Sequence, residues 1–201
     1  GSLNPPVARK TVVTMAGDHG VTAQGVSKYP QEVTAQMVYN FVNGGAGINA
    51  LSRLAGARVI VADMGVTADL SALAKNRKIL SYRIASGTAD MAAGPAMTRE
   101  EAVRCLEAGI EIADKLTSST DIFGTGDMGI GNTTPSSAIV SVFSGKGVTE
   151  VTGRGTGIDE DQLSHKIKII EKAISVNAPD PKDPLDVLST VGGFEIGGIA
   201  G

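Results

Sequence analysis

Asp121-Ile-Phe-Gly-Thr-Gly-Asp-Met-Gly-Ile-Gly-Asn-Thr-Thr-Pro135 runs from a short apolar segment, through a glycine-rich loop, into a helix start. It predicts a buried strand over 121–124, a loop to Asn132, and a helix capped by Thr134 with Pro135 at its first position. The same order recurs towards the N-terminus. Thr11-Val-Val-Thr-Met-Ala16 is a run rich in β-branched residues that breaks at Gly17-Asp-His-Gly20, and Arg58-Val-Ile-Val-Ala-Asp63 is another run ending in an acid. Residues 79–84 form a weaker strand candidate, and 148–151 suggest a fourth strand ending in Gly153-Arg-Gly-Thr-Gly157.

Helical periodicity fills the intervals. Pro30 suits a first turn, with Val33, Met37, Val38, Phe41 and Val42 at helical spacing and a second helix running to about Leu54 after Gly44-Gly45. Thr98-Arg-Glu-Glu101 spells a capping box, followed by a predicted face of Ala102, Val103, Leu106, Ile110, Ala113 and Leu116. Asp159 with Gln162 caps a helix whose predicted stripe is Leu163, Ile167, Ile170 and Ile174, and Asp183-Pro184 starts another. Strands alternating with helices imply an α/β fold, a doubly wound, mostly parallel, Rossmann-like sheet with helices on both faces. Such sheets bind ligands beyond the carboxyl ends of their strands, where these glycine clusters fall.

Composition narrows the function. The chain has 201 residues, 18 basic against 21 acidic, for a net charge of −3. One domain, residues 1–201, is expected to bury its own core. An apolar fraction of 42% excludes a disordered chain, and no apolar run is long enough for a membrane helix. The mildly acidic balance argues against nucleic acid or an anionic membrane as partner. A single cysteine, Cys105, excludes a disulfide framework, and with only His19 and His165 no zinc cluster can form. No N-terminal signal is visible, so the cytoplasm is the expected location. Gly1-Ser2 reads as an expression remnant. The abrupt start and uncapped apolar end, Gly192-Gly-Phe-Glu-Ile-Gly-Gly-Ile-Ala-Gly201, read as a core excised from a longer protein.

The loop ending at Pro135 reads as a phosphate cradle or as an ordinary glycine-rich βα turn. Glycines let amides approach an anion, the following helix offers free N–H groups, and Thr133 and Thr134 add hydroxyls. Gly124, Gly126 and Gly129 also spell G-x-G-x-x-G, with Glu150 downstream, which would suit an NAD-dependent oxidoreductase. That fingerprint, however, needs its helix near the third glycine. There is no Walker lysine motif. Gly153–Gly157 offers a second anion nest with Arg154, and Lys166 reads either as its charge or as a solvated helix lysine. His19 at the first strand's end can be a base, but a histidine there more often orients a loop. Asp63, Asp90 and Asp127 make a magnesium site conceivable, yet the adjacent acid pair of pyrophosphate-donor phosphoribosyltransferases is missing.

Taken together, Ala16–Val21, Gly25–Thr34, Gly87–Met97, Gly126–Pro135, Gly153–Gly157 with Lys166, and Gly192–Glu195 resemble the nicotinate-nucleotide:dimethylbenzimidazole phosphoribosyltransferase family, in family order. The resemblance implies phosphoribosyl transfer from nicotinate mononucleotide to 5,6-dimethylbenzimidazole or a related base, in cobalamin biosynthesis, by a homodimer with no metal and no cofactor. It assigns phosphate and ribose contacts to Gly126, Gly129, Gly131, Asn132, Thr133, Gly155, Thr156, Gly157 and Lys166. It assigns base contacts to Asp18, His19, Tyr29 and Met37, and makes Asp127, where the family commonly has glutamate, the catalytic candidate. The family's general-base glutamate lies in a Gly-Glu-Gly segment that these residues do not contain. The resemblance therefore also leaves room for a non-catalytic core that binds nucleotide or phosphate.

Overall fold

Parallel pairing organises the molecule, for which a computed structural model describes residues 3–201. Gly1-Ser2, read above as a remnant, lies outside them. Strand β1 (Lys10–Gly17) leads through a 3₁₀ turn (Gly20–Gln24), α1 (Val33–Val42) and α2 (Gly47–Ala55) to β2 (Ala57–Gly65). Then come α3 (Ser71–Lys75), β3 (Leu80–Ser81), α4 (Arg99–Thr117) and β4 (Ile122–Met128). The remainder is helical: α5 (Thr133–Ser144), α6 (Val148–Val151), α7 (Glu160–Asn177), α8 (Pro184–Val191) and α9 (Phe194–Ala200). The sheet order is β3-β2-β1-β4, every pair parallel. The order reverses between β1 and β4, the switch point at which such sheets take ligands.

Alternation along β1 divides the core between the two faces. Val13 and Met15 join Ala62 and Met64 of β2 under α4, α8 and α9, with Cys105, Ile112 and Phe194. Ala16 faces the other way, with Val61, against Val38 and Phe41 of α1 and Ala46. A third cluster lies between the 3₁₀ turn, α5, α7 and α8.

Four expectations need correction. Residues 148–151 are one helical turn rather than a strand: Glu150 accepts the Gly147 N–H at 3.1 Å, and Val148 is buried. Gly126 is not loop but β4, opposite Thr14 of β1, and Gly124 stands inside a strand, opposite Val12, that is largely exposed rather than buried and runs on past it to Met128. The strand therefore outlasts its apolar residues, and the G-x-G-x-x-G reading loses its first two turn glycines. Helix α5 begins at Thr133 with Asn132 as its cap, so Pro135 stands third. The buried faces of α4 and α7 are also rotated from those predicted. On α4 they comprise Ala102, Cys105, Ala108, Gly109, Ile112 and Leu116, with Ile110 outside, because the glycine-rich α9 lies directly on Cys105 and Gly109. On α7 they are Lys166, Ile169, Ile170 and Ala173.

The capping boxes at Thr98/Glu101 and Asp159/Gln162 and the Asp183 cap form as expected.

Candidate functional site

Beyond the carboxyl end of β4 the chain turns at Gly129 and Gly131 before α5. Gly131 has φ +86°, a left-handed conformation that side chains rarely adopt. Gly129 is a close-approach position. A Cβ there would lie 2.2 Å from the Gly17 carbonyl oxygen and 2.9 Å from His19 Nε2. Gly129→Ala should therefore cost about 1–3 kcal/mol through forced backbone movement. Chemical denaturation checks this; an unchanged midpoint would show that the turn can shift freely.

The start of α5 is left open. Asn132 makes no side-chain cap bond, and the first turn carries no acid. Instead the Asn132 amide donates to Asp127 Oδ2. The positive end of the α5 dipole thus faces the cleft with its backbone amides uncapped by a side chain, the nearest carboxylate, Asp127, being held on the Asn132 amide.

Across that cleft stands Lys166. Only 1% exposed, it donates from Nζ to Thr133 Oγ1 at 2.6 Å. Among the described residues no carboxylate forms an ion pair with it. A Cβ on Gly155 would lie 3.0 Å from Thr133 Oγ1 and 3.5 Å from Lys166 Nζ, so the second glycine loop closes on the same point. The cleft has a volume of about 210 Å³ and is lined by Gly129, Gly131, Asn132, Thr133, Gly155, Thr156 and Lys166 among others. Arg154 also lines it, but its guanidinium is engaged by Glu160 and the Ile158 carbonyl. A buried ammonium with only a hydroxyl partner is an electrostatic deficit that an anion would fill.

Burial pushes the Lys166 ammonium below its ordinary value of 10.5. The unfolded chain therefore holds this proton more tightly than the folded one. Stability without ligand should rise with pH from the depressed folded value up to 10.5, because the penalty is removed as the folded lysine deprotonates. Anion affinity should fall over the same range. Melting and binding measured across the alkaline range check this; parallel changes would show that the charge is not what binds.

The remaining sequence candidates stand elsewhere. Gly126 pairs with Thr14 in the sheet, and Gly157 lies behind the lining, its N–H bonded to the Arg154 carbonyl. Tyr29 is 47% exposed, outside the cleft, and Met37 packs half-buried against the α1 core. Asp18 is buried and accepts the Thr67 N–H and hydroxyl, both at 2.8 Å. His19 is buried too, so neither residue lies at an open edge. Asp127 adjoins the cleft. Desolvation, then the charge of Glu195, raise its pKa, against the opposing pull of His19 and Asn132.

Glu195 itself has no role in the sequence reading. It is wholly buried, with Oε1 2.8 Å from His19 Nε2. The available signal was one acid inside an otherwise apolar, glycine-rich tail, which must find a partner if buried.

A family model described as phosphoribosyltransferase matches residues 1–201. The nicotinate-nucleotide–dimethylbenzimidazole phosphoribosyltransferase of Syntrophotalea carbinolica is 62% identical over the whole chain, which covers 57% of that relative. The enzyme of the same name from Desulfotalea psychrophila is 55% identical, with 56% of it covered. The crystal structure of CobT from Thermus thermophilus superposes with a TM-score of 0.89 at 43% identity, over 96% of this chain and 57% of that one. The chain thus spans a little over half the length of these relatives. On a match that runs through every residue, it belongs to the nicotinate-nucleotide–dimethylbenzimidazole phosphoribosyltransferase family.

Proposed function

We propose that these residues form the α/β core of a protein that transfers phosphoribosyl from nicotinate mononucleotide to 5,6-dimethylbenzimidazole or a related base, and that they hold the donor's phosphate. The observation that carries this is Lys166, buried and without a carboxylate, facing the uncapped start of α5 and the Gly155 turn. A phosphate monoester matches it, offering two negative charges and several acceptor oxygens to an ammonium, hydroxyls and backbone amides.

The chemistry suits such a site. The pyridinium of the donor departs as a neutral ring nitrogen, so the leaving group needs no general acid. The incoming benzimidazole must lose its N–H proton, which calls for a carboxylate base. Asp127, beside the cleft, is suited to steady positive charge developing on the ribose. The exposed outer edge of β4, with Ile122 and Phe123 open, supports a sheet that continues in the whole protein. A homodimer in the cytoplasm follows from the family reading. Among the described residues, no helix is long and apolar enough to cross a membrane.

Calorimetry with nicotinate mononucleotide and with a nicotinamide dinucleotide tests the reading. The mononucleotide should bind and the dinucleotide should not. Preference for the dinucleotide would favour redox chemistry instead, although the placement of Gly124 and Gly126 inside β4 already argues against it.

A further inference from the structure

Behind the anion cleft, closed off from water, His19 lies wedged between three chain segments. A Cβ on Gly193, in the turn before α9, would lie 2.6 Å from its Cε1 and 2.8 Å from Glu195 Oε2. A Cβ on Gly17, at the end of β1, would lie 2.9 Å from Glu195 Oε2, and one on Gly129 would come equally near His19 Nε2. Nothing larger than glycine fits at these positions without movement. The Nε2 to Oε1 separation is 2.8 Å, yet the ring N–H is not aligned on the oxygen, and neither Glu195 oxygen has a hydrogen-bond partner. Asp18 Oδ1 is likewise buried and unpaired.

A buried ion pair seldom adds stability over an apolar replacement. Its use must be sought in what it touches, and it touches the turn that leads into α5. We propose that Glu195 is a positioning residue for the anion cleft: its ion pair with His19 fixes the Gly129 turn, and through it the start of α5 opposite Lys166. This rests on the reading that the cleft takes a phosphate.

The surroundings of the ring favour its charged form. Burial alone favours neutral imidazole, but Glu195, then Asp18 and Asp127, outweigh it, and the His19 pKa is raised above 6.5. These are the charged groups that face the ring, from α9, the end of β1 and β4. Cys105 on α4 faces Glu195 as a neutral thiol, its pKa pushed up to about 12 chiefly by burial. The stability this pair contributes is fully present below pH 6.5, the unfolded value, and is lost as pH rises through the raised folded value.

The test uses inorganic sulfate, whose charge is constant across neutral pH, with the ring nitrogens of His19 observed by NMR. In the unaltered chain both ring nitrogens should carry protons at neutral pH, and sulfate affinity should fall through the observed His19 midpoint. Glu195→Gln, nearly the same size, should turn His19 neutral and weaken sulfate binding roughly ten- to hundredfold, the scale of a misplaced binding group. Binding is compared well below the melting point of each protein, where a merely structural role would leave affinity unchanged. Undiminished binding in a folded Glu195→Gln protein would overturn the proposal. If that variant does not fold, sulfate affinity in the unaltered chain that stays flat through the His19 midpoint would overturn it. Failure of sulfate and nicotinate mononucleotide to bind the unaltered chain at all would instead remove the functional reading beneath it.

Discussion

Lys166→Met should leave the protein at least as stable as before while lowering its affinity for nicotinate mononucleotide about 10- to 100-fold. Both halves follow from one fact: the ammonium is buried without a carboxylate. Methionine fills nearly the same volume and carries no charge to desolvate, so the folded state gains what the lysine cost it. The Thr133 hydroxyl loses its partner, but it borders the cleft, where water can replace it. In the complex the balance reverses. A charge-assisted contact to phosphate contributes about 1.5–3 kcal/mol, which at 1.4 kcal/mol per decade is a factor of roughly ten to a hundred or more. Thermal melts and calorimetric titration of the same samples check the pair of signs. Equal affinity with lower stability would make Lys166 a structural residue.

The 201-residue chain alone should transfer phosphoribosyl at least about 100-fold more slowly than the whole enzyme from Syntrophotalea carbinolica, even while binding the donor. By family resemblance the base that takes the benzimidazole proton sits in a Gly-Glu-Gly segment, and no such segment occurs here. Loss of a general base typically costs ~10²–10⁴-fold. Asp127 is a poor substitute, since its carboxylate is tied to Asn132, on the side of the cleft proposed to take the phosphate. Chromatographic detection of α-ribazole 5′-phosphate at saturating substrates decides the matter. Turnover within tenfold of the relative would put the base inside this chain and make Asp127 the first residue to replace.

Much of this was legible in local pattern. The β-branched runs of β1 and β2 and the capping signals of α4, α7 and α8 specify those elements within a few residues of chain. Local pattern failed where a distant neighbour decides. Val148-Thr-Glu-Val151 has strand composition but lies against α5 as a helical turn. Gly126 has turn composition, yet pairing to β1 makes it strand. On α4 the large residues suggested one face, while the small ones, Cys105 and Gly109, meet α9, because only small side chains allow so close a crossing. The site divides the same way. The two glycine nests announce themselves, but the burial of Lys166 depends on α7 packing against α5, and the Glu195–His19 pair joins residues far apart in sequence.

A crystal structure of the chain with nicotinate mononucleotide tests the phosphate site most directly. The phosphate should lie between the Gly129–Thr133 turn and Gly155, with an oxygen within hydrogen-bond distance of Lys166 Nζ. A phosphate lodged elsewhere, for example in the cleft formed by Met97, Thr98 and Thr190, with Lys166 still bonded only to Thr133, would contradict it.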